Sequence, residues 1–445
     1  MKTTIYPGAS LHGTLERELP GDKSISHRAA LFAALADGQS EISHFQVSGV
    51  TRPMLQALTA LKVPWTLDGD ILSVTGRGLS GLHAPSFPID CGNSATTLRL
   101  LAGVLAAAGL PAVLEGSPGL KRRPMGRIVT PLQQMGVPIS ASPEGCAPLR
   151  LAGRPAGSRL QAQHLILAVA SAQVKSCLLL AGLGCEGTTC IDEPGPSRDH
   201  TERMLQSMGV TVRSEVREGK NCVSLCPPSP LKLTPLHLNI PGDPSAAAFL
   251  IVAALITEGS ELHIQNICLN PTRTGLIEVL QEMGGDIQLL NEHLEGGEPC
   301  GNVRVRSSRL HGTSVSGERV VRMIDEFPIF AVAAAAAEGE SVVSDAAELR
   351  LKESDRISVL AKELRTLGVD IVEQADGFSL RGGKVQGGSV DAHGDHRLAM
   401  SLLVAGLISA APISVRGSEC SAESFPGFAD VLQTLGAKLD VERTL

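Results

Sequence analysis

The hydrophobic positions of the chain form six long Ala- and Leu-rich stretches that have no polar face. Stretches of this length and period predict helices, and a helix that is apolar on all sides is buried. We expect these buried helices over residues 24–37, 93–109, 170–183, 244–258, 325–338 and 395–410. The first of them opens with Ser24 or Ser26 as its N-cap and closes at Gly38.

A second, amphipathic kind of helix follows each buried one, and its last turn repeats as variants of Leu-Gln-x-Met-Gly. A glycine directly after a helix adopts the left-handed conformation that ends the helix. Each copy therefore predicts a helix C-terminus followed by a strand. The glycine position is occupied, in chain order, by Lys62 in a weaker first copy and then by Gly136, Gly209, Gly284, Gly368 and Gly436.

Short strand-like segments accompany these helices, such as residues 42–46, 112–114, 188–191 and 261–264, or 65–67 with 71–74. The repeated unit is β-α-β-α-β-β, and it occurs six times along the chain. Prolines cluster between residues 227 and 241, which indicates a linker or an edge segment. We therefore expect three units plus three units in two lobes, with a ligand in the cleft between them.

Composition narrows the classes of function. The chain has 445 residues, 43% of them hydrophobic, but only one Trp and one Tyr. Scarce aromatics argue against a surface that stacks nucleic-acid bases, and a net charge of -7 argues against general binding of polyanions. Any site for an anion must therefore be assembled locally.

Sequence features also bear on compartment and cofactors. The ten cysteines are scattered without a Cys-x-x-Cys motif, which is typical of reduced thiols in a cytoplasmic protein. We find no signal peptide, no apolar run long enough to span a membrane, no phosphate-binding loop of the nucleotide-binding type and no metal-ligand spacing. The sequence predicts a cytoplasmic protein without membrane, nucleic-acid or metal partners.

Polar and charged residues collect where the buried helices begin. The first start carries Lys23, Ser24 and Arg28, although a helix N-terminus disfavours cations by about 0.3–1 kcal/mol each. Helix starts with free N–H groups and nearby cations indicate binding of an anion. The fourth start, at residues 241–245, lacks a cation and is expected to be mainly structural. Similar clusters lie at residues 92–99, 121–124, 171–175, 197–200, 324–326, 351–356 and 394–397.

Two interpretations of these clusters remain open. Arg99 and Arg397 lie in helices without a solvated face, so each needs an anionic partner. That partner is either a carboxylate, with Asp199, Asp355 and Asp395 as candidates, or a small substrate with several phosphate or carboxylate groups. His27 and His396 could act as general acids or as capping residues.

In this order, residues 20–28, 92–99, 123–125, 171–173, 197–200, 324–326, 352–356 and 394–397 resemble the 5-enolpyruvylshikimate-3-phosphate (EPSP) synthase family over almost the whole chain. The resemblance implies an α/β fold, a two-domain inverse α/β barrel of six βαβαββ units, three per domain. It implies a first lobe over residues 21–238 and a second lobe of residues 1–20 plus 239–445, with the active site in the interdomain cleft.

The resemblance also implies transfer of a carboxyvinyl group from phosphoenolpyruvate to the 5-hydroxyl of shikimate 3-phosphate, with release of phosphate. Asp325, Glu353 and Lys23 would be catalytic. No cofactor or metal is implied, and a monomer is expected. By the same resemblance, shikimate 3-phosphate would be bound by Lys23, Ser24, Arg28, Ser171, Ala172, Gln173, Ser197, Asp325 and Lys352. Phosphoenolpyruvate would be bound by Lys23, Asn93, Ala95, Arg123, Gln173, Arg356 and Arg397.

The sequence departs from this family at a few positions. Ala95 and Leu100 stand where many members have Gly and Pro, which predicts reduced sensitivity to glyphosate. Ala172 replaces a serine common in the family. Near Glu423 many members carry a lysine that contacts phosphoenolpyruvate, so that contact is missing or supplied elsewhere.

The nearest alternative is the UDP-N-acetylglucosamine enolpyruvyl transferase family, which shares the fold and the reaction type. That family typically has a cysteine in a mobile loop near the Arg123 region, and residues 120–125 contain none. A non-catalytic anion-binding protein is a second alternative. The presence of Lys23, Asp325 and Glu353 together argues against it.

Overall fold

The structure, a computed structural model, describes residues 1–155, 157–217 and 219–442. Within these residues the chain forms thirteen α-helices and twenty-six β-strands. The helices are α1 (Lys23–Leu35), α2 (Arg52–Ala60), α3 (Ala95–Ala108), α4 (Gly126–Gln134), α5 (Ala172–Gly182), α6 (His200–Ser207), α7 (Pro244–Ile256), α8 (Gly275–Glu282), α9 (Glu318–Arg322), α10 (Phe327–Ala336), α11 (Arg356–Thr366), α12 (His396–Ala405) and α13 (Phe428–Thr434). The strands are β1 (Lys2–Tyr6), β2 (His12–Leu15), β3 (Asp37–Ser43), β4 (Trp65–Asp68), β5 (Ile71–Arg77), β6 (Ile89–Asp90), β7 (Ala112–Glu115), β8 (Ile139–Ser140), β9 (Leu149–Leu151), β10 (Leu160–Gln161), β11 (His164–Ile166), β12 (Cys185–Glu186), β13 (Thr189–Glu193), β14 (Thr211–Arg217), β15 (Lys220–Cys226), β16 (His237–Asn239), β17 (Glu261–Cys268), β18 (Asp286–Glu295), β19 (Glu298–Arg306), β20 (Ser314–Val315), β21 (Glu340–Val343), β22 (Asp370–Gln374), β23 (Gly377–Arg381), β24 (Gly388–Asp391), β25 (Ile413–Arg416) and β26 (Lys438–Glu442).

The six predicted buried helices are confirmed as α1, α3, α5, α7, α10 and α12, and nearly all their residues are buried. Two details that the sequence predicted for α1 are wrong. Its N-cap is Asp22, whose carboxylate accepts from the N–H of Ile25 at 2.8 Å, whereas Ser26 is buried in the helix and accepts from the N–H of Gln46. The helix ends at Leu35, and Gly38 lies in β3.

The predicted ends of the amphipathic helices are confirmed by the backbone. The residue in the glycine position has a positive φ in every copy, including Lys62 at 62°. In each copy, the side chain three positions before the glycine position forms a hydrogen bond with the residue six positions after that side chain. Gln133, for example, donates to the carbonyl of Ile139 at 2.8 Å. The same link is made from Gln206, Gln281, Arg365 and Gln433, and Thr59 accepts from the ring N–H of Trp65. The repeated phrase therefore fixes each helix end to the strand that follows.

In the described residues, six sheets have four strands and one, β10-β12, has two. Each four-stranded sheet has one parallel outer pair, and its other neighbours are antiparallel where the pairing is described. Three of these sheets are completed by strands distant in sequence, and one of them pairs β2 with β17. Strand β16 pairs with β3 in the order β16-β3-β5-β4, and the order β24-β25-β1-β26 contains the first strand of the chain.

The chain divides into two compact units. We call residues 21–240 with 294–298 the first unit, and residues 1–20, 241–293 and 299–445 the second unit. In the first unit α3 approaches α5 closely, since a Cβ at Gly103 would lie 2.2 Å from the carbonyl oxygen of Cys177. In the second unit α7, α10 and α12 form one hydrophobic core with their strands.

Two further findings concern membrane-spanning helices and the cysteines. No helix among the described residues is long and apolar enough to cross a bilayer. None of the ten cysteines, all within the described residues, forms a disulfide bond.

Candidate active site

The start of α1 holds a buried arginine among neutral partners. Arg28 is 2% exposed and donates to the hydroxyls of Thr201 at 2.7 Å and Ser176 at 2.8 Å, and to the carbonyl of Ser24 at 2.9 Å. Burial lowers the pKa of Arg28 to about 10, although Glu202 acts in the opposite direction. Arg28 is therefore a cation that an additional anion would stabilise.

His27 joins the starts of α1 and α3. Its Nδ1 lies 2.7 Å from the carbonyl oxygen of Lys23, and its Nε2 lies 3.1 Å from the Ser94 hydroxyl and 2.9 Å from the carbonyl oxygen of Val50. The Lys23 and Val50 carbonyls can both only accept, so the single hydrogen of a neutral ring serves one of the two carbonyls at a time. Burial lowers the pKa of His27 to about 4. The ring is therefore neutral at pH 7, and both of its nitrogens contact protein groups.

The starts of α3 and α5 are tied to each other through Gln173. Its amide oxygen accepts from Arg99 at 2.6 Å, and its amide nitrogen donates to the Thr96 hydroxyl at 3.0 Å. Arg99 also donates to the carbonyl of Pro124. In the preceding loop, Asn93 accepts from the hydroxyl of Ser117 at 3.0 Å. The side chain of Gln173 is thus fixed by α3, a role that the sequence did not indicate.

Ser197 lies beside a buried cluster of charges. Lys175 is 2.7 Å from both Glu193 and Glu202. Burial alone would lower the pKa of Lys175, but Glu202 and Glu193 together raise it. Sequence reasoning singled out Lys175 but missed both glutamates. A lysine inside an apolar helix is itself a signal, because a buried ammonium requires carboxylate partners.

In the second unit three cations converge on Asp325. Its Oδ1 lies 3.1 Å from Lys352 Nζ and 3.3 Å from Arg356, and its Oδ2 lies 3.8 Å from Arg397. Lys352 and Arg356 come from one loop and the helix start after it, whereas Arg397 comes from the start of α12. The structure therefore brings together four residues that the sequence placed in the site, with Glu353 beside them.

Arg356 is shared among carboxylates. Its guanidinium contacts Asp395 at 2.8 Å and Glu353 at 2.7 Å in addition to Asp325. Burial would lower the pKa of Arg356, but Asp395, Glu353 and Asp325 together raise it. Asp395 is also the N-cap of α12, because it accepts from the N–H of Arg397 at 3.0 Å. Asp395, a candidate partner for Arg99 and Arg397, thus forms its ion pair with Arg356. Arg397 instead lies near the carboxylates of Asp325 and Glu326.

The fourth helix start does have a cation, contrary to the sequence prediction. Arg273 donates to Asp243, the N-cap of α7, at 3.1 Å and to Ser245 at 2.9 Å. The Ser245 hydroxyl donates to Glu326, and Glu326 lies 3.6 Å from Arg397. The cation was missed because Arg273 lies in the loop before α8 and reaches α7 only in the folded chain.

The remaining residues that the sequence analysis singled out lie at the following positions. Asp199 and Asp355 pair with Arg203 and Arg350. His396 lies 3.7 Å from Glu423, at the position where the expected lysine is absent. Ser171 is the N-cap residue of α5, Ala172 and Ala95 are the first residues of α5 and α3, and Arg123 follows a short 3-10 turn.

The predicted site residues fall into two sets. The first unit contains Lys23, Ser24, Arg28, Asn93, Ala95, Arg123, Ser171, Ala172, Gln173 and Ser197, and the second unit contains Asp325, Lys352, Glu353, Arg356 and Arg397. Over the part of the chain that the structure describes, no group of three or more His, Cys, Asp or Glu residues is arranged to hold a metal ion.

Comparison with known proteins gives one consistent family. The model of the EPSP synthase (3-phosphoshikimate 1-carboxyvinyltransferase) family matches residues 5–432. The 3-phosphoshikimate 1-carboxyvinyltransferases of Methylococcus capsulatus and Halorhodospira halophila are 44% and 45% identical to the chain. Each alignment covers 98% of this chain, with 98% and 97% of the relatives. A solved EPSP synthase of Acinetobacter baumannii superimposes with a TM-score of 0.87 at 39% identity, over 99% of this chain and 100% of that one. The chain therefore belongs to the EPSP synthase family.

Proposed function

We propose that this chain is a 3-phosphoshikimate 1-carboxyvinyltransferase. It transfers the carboxyvinyl group of phosphoenolpyruvate to the 5-hydroxyl of shikimate 3-phosphate and releases phosphate. Family membership supports the reaction type. The carrying observation is the convergence of Lys352, Arg356 and Arg397 on Asp325, because both substrates are multiply anionic and the reaction needs a carboxylate among fixed cations.

We assign shikimate 3-phosphate to Ser24, Arg28, Ser171, Gln173 and Ser197 of the first unit and to Asp325 and Lys352 of the second. Arg28 supports this assignment, since its buried charge is held by neutral oxygens and gains from a phosphate. Ala172 would contribute at most its backbone, because it has no hydroxyl.

We assign phosphoenolpyruvate to Arg123, Arg356 and Arg397, with Asn93 and Ala95 at the start of α3. The N-terminus of α3 offers free N–H groups to a phosphate. Lys23, at the start of α1, lies between the two substrates in this assignment.

The reaction passes through a tetrahedral ketal. Asp325 accepts the proton of the 5-hydroxyl while the oxygen bonds to C2 of phosphoenolpyruvate, and the methylene carbon receives a proton from Glu353 or Lys23. Loss of a proton from the resulting methyl group and departure of phosphate restore the enol double bond. Lys352 and Arg356 hold the Asp325 carboxylate in place.

The finer architecture belongs to the same proposal. We propose an inverse α/β barrel of six βαβαββ units, with lobes over residues 21–238 and residues 1–20 plus 239–445 and the substrates in the cleft between them. The shared strand order of the six four-stranded sheets supports it. We also propose a cytoplasmic monomer that needs no metal or cofactor.

Release of phosphate from shikimate 3-phosphate plus phosphoenolpyruvate tests the function. We expect turnover by the wild type, its loss in Lys23→Ala and its retention in Lys232→Ala, a control at an exposed lysine of the same unit. Turnover with UDP-N-acetylglucosamine instead of shikimate 3-phosphate would support the alternative family. Absence of turnover with either acceptor would refute both.

A further inference from the structure

Every polar atom of Ser197 contacts one buried ion pair. The backbone N–H and the hydroxyl of Ser197 donate to the two oxygens of Glu193, at 3.1 Å and 2.6 Å. The carbonyl of Ser197 accepts from Lys175 Nζ at 3.2 Å. Lys175 and Glu193 are themselves 2.7 Å apart and both are fully buried. Ser197 is therefore held in a single position from three directions.

Stability alone is a weak reason for such a cluster. Two buried carboxylates and one buried ammonium are costly to remove from water, and well-packed apolar residues often give equal or greater stability. Asn221 completes the cluster by donating to Glu193 at 2.9 Å, but no contact between Asn221 and Ser197 is described. Both members of the ion pair thus bond to Ser197, which suggests that the cluster positions this residue.

The same cluster is continuous with Arg28. Lys175 and Ser176 are neighbours on α5, and Thr201 and Glu202 are neighbours on α6. Lys175 contacts Glu202 at 2.7 Å, Ser176 contacts Thr201 at 2.7 Å, and both hydroxyls accept from Arg28. Helices α5 and α6 therefore support Arg28, and α5 also contributes Lys175 to the support of Ser197, whose other partner, Glu193, lies in β13.

We propose that Lys175 and Glu193 are positioning residues that place Ser197 for shikimate 3-phosphate. The proposal rests on the proposed function, which assigns Ser197 to that substrate. The pair sets the KM for shikimate 3-phosphate by holding Ser197 before the ligand arrives, and it leaves phosphoenolpyruvate binding unaffected.

The test replaces the charges by apolar residues of similar size, in the variant Lys175→Met/Glu193→Leu/Glu202→Met. We expect the thermal midpoint to stay near that of the wild type. Because three contacts to Ser197 are lost, all of them to charged groups, the KM for shikimate 3-phosphate should rise at least about tenfold. The KM for phosphoenolpyruvate should change by less than about twofold, within the scatter of a surface substitution.

Two further variants sharpen the test. Glu193→Asp keeps the charge opposite Lys175 but is too short to hold both Ser197 donors, so the KM for shikimate 3-phosphate should still rise, and this variant decides if the triple one does not fold. Asn221→Ala is the matched control, because it removes a bond to the same carboxylate without touching Ser197. It should lower the thermal midpoint and leave both KM values unchanged.

The outcomes separate the two proposals. An unchanged KM for shikimate 3-phosphate in the folded variants, or an equal rise for both substrates, refutes the positioning role while the wild type remains active. A wild type that does not release phosphate from the two substrates refutes the proposed function, and the positioning role with it.

Discussion

Asp395→Asn is the sharpest test of the second-unit ion network. Asp395 is fully buried, contacts Arg356 at 2.8 Å and caps α12. Asn is as good an N-cap as Asp, so the substitution removes the charge and leaves the cap. Any loss of stability therefore reports the interaction with Arg356, together with the bond that Asp395 accepts from the Ser354 hydroxyl at 3.1 Å.

The size of the effect follows from burial. Removing one partner of a buried ion pair costs about 3–5 kcal/mol. Arg356 keeps Glu353 and Asp325, so we expect the lower end, about 3 kcal/mol. For a unit of this size, that loss lowers the thermal midpoint by about 6–12 °C.

Asp355→Asn provides the matched control. Asp355 caps α11 and contacts Arg350 at 2.7 Å, the same pair of roles, but its side chain is 39% exposed. Exposed pairs contribute about 0.2–1 kcal/mol. Thermal unfolding of both variants, followed by circular dichroism, compares two sites in the same unit. Equal losses from the two substitutions would refute the argument that burial decides the strength of these ion pairs.

Three other predictions concern protons and the inhibitor. Burial raises the pKa of Asp395, but the interactions that lower it, that with Arg356 foremost, together outweigh this effect. The pKa of Asp395 in the folded chain therefore lies below its pKa in the unfolded chain. The stabilisation is present above about pH 4 and is lost as the pH falls through the lower folded-state pKa, and acid titration of the unfolding midpoint should show a smaller loss in Asp395→Asn. Nitrogen NMR of the His27 ring should show a neutral ring with no titration between pH 5 and 8, because burial lowers its pKa to about 4. Titration of His27 within that range would contradict this effect of burial. Ala95→Gly should increase inhibition by glyphosate in the phosphate-release assay, and unchanged inhibition would contradict a role for the Ala95 methyl group.

Much of the fold could be predicted from the sequence because the patterns that define the helices involve residues close together in the chain. An apolar helix face and a glycine after a helix act over a few residues, so the helix positions agree with the structure. The N-cap of α1 could not be chosen locally. Ser24, Ser26 and Asp22 are all good caps, and the backbone path makes Asp22 the residue whose side chain reaches the N–H of Ile25.

The site was predicted less completely because its partners are distant in the chain. Lys175 was noticed, but Glu193 and Glu202 come from β13 and α6, which only the fold brings to α5. The cation at the fourth helix start was missed for the same reason, since Arg273 lies 28 residues from Ser245. A charge inside an apolar helix indicates that a partner exists, but not which residue it is.

The buried arginines Arg28 and Arg356 have different kinds of partner, which suggests that the two units differ in their contributions to binding and catalysis. In the second unit Arg356 already has three carboxylates, so an anionic ligand there must compete with groups that can also exchange protons. In the first unit Arg28 donates to two hydroxyls and a carbonyl, and burial lowers its pKa to about 10. A phosphate beside Arg28 supplies the negative charge that its neutral partners lack, whereas one beside Arg356 adds to charges already present. Anion affinity should therefore come mainly from the first unit, and proton transfer from the second.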